Sequence, residues 1–145
     1  MSEAPPLLKA LAIGKQFPGV RALHDVNLTL FQGEVLSLVG ENGAGKSTMM
    51  KILAGIHLPD EGAIELDGDF VKISNVREAQ KYGIALIHQE LNLSDNLDIA
   101  ANIFLGNEPH KSGIIDRNRI HKESAQFLKR VGLEFSTDTL VADLT

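Results

Sequence analysis

Val35 to Leu53 reads VLSLVGENGAGKSTMMKIL, and this stretch decides the fold. A short apolar run, Val35–Val39, gives way to Gly40, Gly43 and Gly45, then to Lys46 and Ser47. An ordinary turn needs fewer glycines. Several together let consecutive backbone N–H groups point at one centre, in conformations that a Cβ would obstruct. Gly40-Glu41-Asn42-Gly43-Ala44-Gly45-Lys46-Ser47 satisfies G-x-x-x-x-G-K-[ST] in full. Its setting is an expected strand at Val35–Val39 and an expected helix after it, the context this pattern requires. Met49, Ile52, Leu53 and Ile56 recur at i, i+3, i+4 and i+7 on one helical face. Gly55 and then Pro59 close that helix.

The residue types explain one another. A nest of amides at a helix N-terminus, with the positive end of the helix dipole behind it, suits a polyphosphate chain. Lys46 adds a mobile point charge for the terminal phosphates. Ser47 offers a hydroxyl small enough to ligate Mg²⁺, which keeps most of its waters. A dinucleotide loop, G-x-G-x-x-G, fails because Thr48 stands where the last glycine belongs. The plain alternative is a glycine-rich turn with an exposed lysine.

Outward from this loop, Leu7–Ile13 and Val26–Phe31 read as strands joined through a turn in KQFPGV, where Pro18-Gly19 supplies the bend. AIELDGDFVKI, 63–73, reads as a hairpin around Asp67-Gly68. Val76–Tyr82 is an expected short helix with Gly83 as its stop, and Ile84–Ile87 an expected buried strand leading to Gln89. Asp98 is placed to cap IAANIFL, although Ala101 occupies the position of a capping-box acid. A last helix, Arg117–Val131, starts after Asp116, presents Ile120, Phe127, Leu128 and Val131, and stops at Gly132. Strands and turns thus fill about the first ninety residues and helices the rest: an α/β core followed by an α-rich piece.

The bulk properties agree. At 145 residues, 43% hydrophobic and 23% charged, the composition is that of a globular domain. A formal net charge of -5 argues against nucleic acid as a partner and against adhesion to anionic lipid by charge alone. The absence of cysteine excludes disulfides and thiolate metal sites. The N-terminus lacks the basic region of a secretory signal, and no apolar run approaches the roughly 20 residues that span a bilayer. A cytoplasmic chain is expected.

LVGENGAGKSTMMKILAGIHLPDEGAIELDG resembles the opening of an ABC-transporter ATP-binding cassette, and KQFPGVRALHDVNL before it has the same look. IHQELNLSDNLDIAANIFLG is similar, more narrowly, to the ATP-binding subunits of bacterial ribose and galactose importers. The resemblance runs along nearly the whole chain. It implies a P-loop NTPase-type core with an antiparallel β subdomain at 1–90, then the start of a helical subdomain at 91–145. It implies ATP and Mg²⁺ as ligands. The phosphate loop is Gly40, Glu41, Asn42, Gly43, Ala44, Gly45, Lys46, Ser47 and Thr48, with Lys46 on the β- and γ-phosphates. Phe17 falls at the adenine-stacking aromatic, and Ser47 and Gln89 at the magnesium ligands, Gln89 also sensing the attacking water. The same resemblance implies transmembrane permease subunits and a second cassette as partners, at the inner face of the bacterial plasma membrane.

Two departures stand out. The family's T-[IV]-A-E-N is here Asp98-Ile99-Ala100-Ala101-Asn102, so the acid is missing at Ala101. VADLT falls where the L-S-x-G-Q signature begins, and no apolar run ending in Asp-Glu is present. The expectation is therefore an incomplete cassette, binding nucleotide but turning it over poorly. His88 reads first as an ordinary histidine, and Phe17 has a plain packing role as its alternative. Two other classes stay open. A small P-loop kinase or GTPase would need an arginine-rich lid or an N-K-x-D stretch, and neither occurs. A non-catalytic regulatory piece would dock on partners without ATP dependence.

Overall fold

The computed structural model describes residues 5–88 and 93–144. They form two compact units, Met1–Ile87 and His88–Thr145. The first is built on a long hairpin, β1 (Leu8–Phe17) and β2 (Val20–Leu30), which turns at Pro18-Gly19. Both strands extend beyond the expected ones, because Lys15, Gln16 and Phe17 keep pairing with Leu23, Arg21 and Val20 instead of entering a loop. Helix α1 (Lys46–Leu53) follows, then β3 (Glu61–Leu66), β4 (Asp69–Val71) and helix α2 (Val76–Lys81). The sheet is antiparallel throughout, in the order β2-β1-β3-β4. Asp67 (φ 49°) and Gly68 (φ 89°) make the β3–β4 turn left-handed at both central residues, as a two-residue hairpin requires.

An interruption in β1 sets which side chains enter the core. Leu8 and Ala10 are buried, then Ala12 takes φ 52° and the pairing register breaks, so that Ile13 is buried next. One extra residue has inverted the alternation. Asn27 accommodates the bulge from the partner strand: its Oδ1 accepts from the Ala12 N–H at 2.8 Å and its Nδ2 donates to the Asp25 carbonyl at 3.1 Å. Gly62 of β3 faces the same bulge with φ 91°, and a Cβ there would lie 2.4 Å from the Leu11 carbonyl oxygen. Against the sheet packs α1, burying Met49, Ile52 and Leu53 among Leu8, Ala10, Ile13, Leu23, Ile64, Ile73 and Ala79. Ile56, expected on that face, lies beyond the helix end and is exposed.

Val35–Val39 and Ile84–Ile87 are not strands. Val35 and Val39 are 94% and 93% exposed. A strand exists only through ladder bonds to a neighbour, and among the described residues neither run has one. Hydrophobicity alone does not fix an extended segment.

In the second unit, helix α3 (Ile99–Phe104), a small hairpin of β5 (His110–Lys111) and β6 (Ile114–Ile115), and helix α4 (Arg117–Arg130) precede a single 3₁₀ turn at Val141–Asp143. Asp98 caps α3 through the Ala101 N–H at 2.6 Å, and Asp116 caps α4 through the Arg119 N–H at 3.0 Å. Ile99, Leu128 and Val141 form the core, and α4 adds Ile120 and Ser124 as buried residues. Phe127 and Val131, expected inside, are 43% and 69% exposed. The six-residue α3 covers only part of the fourteen-residue α4, and the Phe127 ring lies 6.2 Å from that of Phe104. Asn102 fastens the entry to α3. Its Oδ1 accepts from Ser94 N–H at 2.8 Å, and its Nδ2 lies 3.0 Å from the Ser94 and Asp98 carbonyl oxygens.

Two substitutions test this account. Gly62→Ala places a methyl against the β1 bulge at a left-handed φ and is expected to cost about 1–3 kcal/mol, read by denaturant unfolding. Asn102→Ala strands the backbone groups of Ser94 and is expected to cost about 1–3 kcal/mol, with the Ser94 amide losing its protection in hydrogen exchange.

Candidate functional site

Beyond β2 the chain runs through residues 31–39 without helix or strand into the glycine loop, and regular structure resumes at α1. Gly43 (φ 86°) and Gly45 (φ 84°) adopt the left-handed conformation that their missing Cβ permits. Gly45 is also the α1 N-cap, and its carbonyl accepts the first helical bond from Met49 at 2.9 Å. It lies hard against β2: an added Cβ would be 2.5 Å from the Ala22 carbonyl oxygen and 2.6 Å from Leu23 Cδ2. At Gly43 an added Cβ meets nothing within 4 Å, so that side of the loop is open. Between them, Ala44 N–H closes a turn onto the Glu41 carbonyl at 3.2 Å.

Helix α1 has no side-chain cap and no acid in its first turn. Helices α2, α3 and α4 are capped by Asn75, Asp98 and Asp116. The first N–H groups of any α-helix lack internal partners, so α1 presents its amides, and the positive end of its dipole, to whatever lies in the loop. Lys46 bends back over this space. Its Nζ donates to the Gly40 and Glu41 carbonyls at 2.6 and 2.7 Å, and no carboxylate pairs with it among the described residues. Its charge is therefore held by neutral loop dipoles, which a phosphate oxygen can replace. Ser47, next along, is exposed, and Thr48 is half-buried. Glu41, Asn42 and Ala44 lie exposed on the loop, contributing backbone rather than side-chain chemistry.

This arrangement fits a triphosphate. A Cβ at Gly40 would touch Ala44 Cβ at 3.3 Å, so the loop keeps its close turn there only with glycine. The exposed Ser47 hydroxyl is the oxygen that would hold a Mg²⁺ here, a cation that takes few protein ligands. Gln89, expected as the second, lies outside the described residues.

Phe17 closes β1 and is half-buried. Phe17 pairs with Val20, and Lys15 pairs with Leu23, the residue that touches Gly45. Two residues along a strand, ~7 Å, therefore separate the aromatic's register from the loop's support. Groups that the sequence did not single out surround the ring: His57 at 5.3 Å between centroids, and the Lys15 ammonium at 5.6 Å, itself bonded to Asp60 at 2.8 Å. Lys15 is a near neighbour of Phe17 in the chain, but His57 and Asp60 lie 40 or more positions on and reach the ring and the ammonium only through the fold.

Residues 23–145 match the family described as ABC transporter. The ribose import ATP-binding protein RbsA of Caldanaerobacter subterraneus is 52% identical over 141 residues, covering 97% of this chain and 28% of that protein. The xylose import ATP-binding protein XylG of Photobacterium profundum is 49% identical over 141 residues, with 96% and 28% covered. The chain thus spans little more than a quarter of the length of these relatives. Among solved structures, cbiO1 of Clostridium perfringens, part of the ABC transporter complex cbiONQ, superposes with a TM-score of 0.72 at 26% identity over 97% of this chain and 56% of that one. A nucleotide-free ATP-binding cassette from an ABC transporter gives 0.77 at 22% identity over 97% and 60%, a likeness of fold. By its sequence match over 123 consecutive residues and by its fold, the chain belongs to the ABC transporter family.

Proposed function

We propose that this chain is the ATP-binding part of a carbohydrate importer of the ribose and galactose type, coupling nucleotide binding and hydrolysis to sugar uptake through a membrane partner. The observation that carries the nucleotide reading is the uncapped α1 behind a glycine loop, with Lys46 bonded, among the described residues, to that loop's carbonyls alone. The sugar class follows from the relatives, which are named for ribose and xylose import. The unit Met1–Ile87 is read as the nucleotide-binding core and the remainder as the beginning of a helical subdomain.

In this reading the amides of Gly43 to Thr48 wrap the β- and γ-phosphates. Lys46 exchanges the Gly40 and Glu41 carbonyls for phosphate oxygens, Ser47 and Gln89 hold Mg²⁺, and Phe17 stacks the base. Phosphoryl transfer of this kind asks the protein mainly for positioning and charge stabilisation. No helix of the described residues is long and apolar enough to cross a membrane, so permease subunits would supply the path for sugar, with this chain on the cytoplasmic face and a second cassette beside it.

Calorimetric titration tests the reading. Wild-type chain is expected to bind MgATP, and Lys46→Ala to bind it at least about tenfold more weakly, the loss of a charge-assisted contact. Heat absent from folded wild-type material would overturn it. Gly45→Ala is expected to lose binding as well, because its methyl meets the Ala22 carbonyl and the loop must move. For the transport half, ribose uptake by cells carrying Lys46→Ala in this chain is expected to fall to background.

A further inference from the structure

Phe17 is held from several directions. The His57 ring meets it edge-on, 71° between planes, and the Lys15 ammonium lies against the same ring. Lys15 is itself anchored: Asp60 Oδ1 accepts from its Nζ and Asp60 Oδ2 from the Gln16 N–H, each at 2.8 Å. The Asp60 N–H donates to the Gly14 carbonyl at 2.9 Å. The Lys15 ammonium, ahead of the Gln16 N–H, holds the Asp60 carboxyl below its ordinary value. A depressed carboxylate keeps its tie above the ordinary range and loses it only as pH falls through the folded value, so the anchor is intact at neutral pH.

The segment bearing His57 and Asp60 continues directly from α1. Gly55 N–H bonds Ile52 at 3.0 Å and Ile56 N–H bonds Lys51 at 2.8 Å, the paired bonds that end a helix with a left-handed glycine. His57 N–H adds a bond to Lys51 at 3.2 Å. The helix whose first turn opens onto the phosphate loop therefore carries, past its last turn, the ring on which Phe17 rests. Neither Phe17 nor His57 belongs to the buried cluster beneath the sheet, so their contact is not part of core packing.

We propose that His57 is a positioning residue for the nucleobase: its edge contact presets the Phe17 ring, and α1 fixes that platform relative to the phosphate loop. The proposal rests on the reading of Phe17 as the stacking residue. A platform already ordered before binding loses less side-chain freedom when a base arrives. An aromatic edge contact of ordinary strength alters an equilibrium by about two- to tenfold.

The test compares MgATP with magnesium tripolyphosphate, which has no base, in calorimetric titrations of the chain. His57→Ala is expected to weaken MgATP about two- to tenfold and to leave tripolyphosphate unchanged, while His57→Phe restores MgATP binding. The double variant Phe17→Ala with His57→Ala is expected to bind MgATP no more weakly than Phe17→Ala alone, since the two act as one unit. If His57→Ala leaves MgATP unaltered while Phe17→Ala weakens it, the proposal is overturned and the stacking reading stands. Equal weakening of both ligands by His57→Ala also overturns it, because that is the mark of a general structural role. If Phe17→Ala leaves MgATP unaltered, the stacking reading itself fails and takes the proposal with it.

Discussion

The close approach of the Gly45 backbone to Ala22 and Leu23 of β2 is the contact on which the site depends. It locks together three things that the chain could otherwise place independently: the end of the first hairpin, the glycine loop and the start of α1. With Gly45 left-handed and pressed onto a strand, the helix begins there without a side-chain cap. The preceding loop then curls so that the Gly40 and Glu41 carbonyls reach the Lys46 ammonium. Burial of Met49, Ile52 and Leu53 under the sheet holds the helix in that position. Any Cβ at residue 45 would have to separate these parts, so the chemical constraint on one residue is also the constraint on the architecture.

The treatment of helix ends shows how selective the arrangement is. Helices α1, α2 and α4 each end on a left-handed glycine, Gly55, Gly83 and Gly132, with its N–H returning to the last turn. At the other end Asn75, Asp98 and Asp116 satisfy α2, α3 and α4. Only α1, among the described helices, is closed at its C-terminus and left uncapped at its N-terminus. A free helix N-terminus is costly when buried and useful when it faces an anion, and it occurs where the motif places Lys46 and Ser47. The chain just past that helix carries His57, the ring that Phe17 meets edge-on.

Much of this was legible without coordinates, and the legible parts are local. A glycine loop running into a helix is readable at Gly40 to Ser47 because left-handed glycines and a following helix are properties of a few consecutive residues. Asp67-Gly68 as a hairpin turn, Asp98 as a cap, a helix starting after Asp116, and Gly55, Gly83 and Gly132 as stops succeeded for the same reason: each depends on its own φ and on bonds within a turn or so. The misreadings are non-local. KQF before Pro18 was read as loop, yet Val20 to Leu23 across the hairpin keep it in the ladder. Val35–Val39 and Ile84–Ile87 have the composition of buried strands and no strand neighbour among the described residues. Phe127 and Val131 share the helical period with Ile120 and Leu128, but α3 is too short to cover them.

By itself the sequence determined the glycine loop leading into a helix, the turns, the helix ends and the family, since those reside in short windows whose backbone angles and hydrogen bonds are closed within the window. Only the tertiary structure decided that a bulge at Ala12 inverts the alternation of β1, and that Ala22 and Leu23 stand behind Gly45. Only it brought Lys15, His57 and Asp60 around Phe17. Apart from that of Lys15 with Phe17, these contacts join residues separated by tens of positions. Which of them form is set by excluded volume and strand register across the folded unit, and neither is encoded in any one stretch of chain.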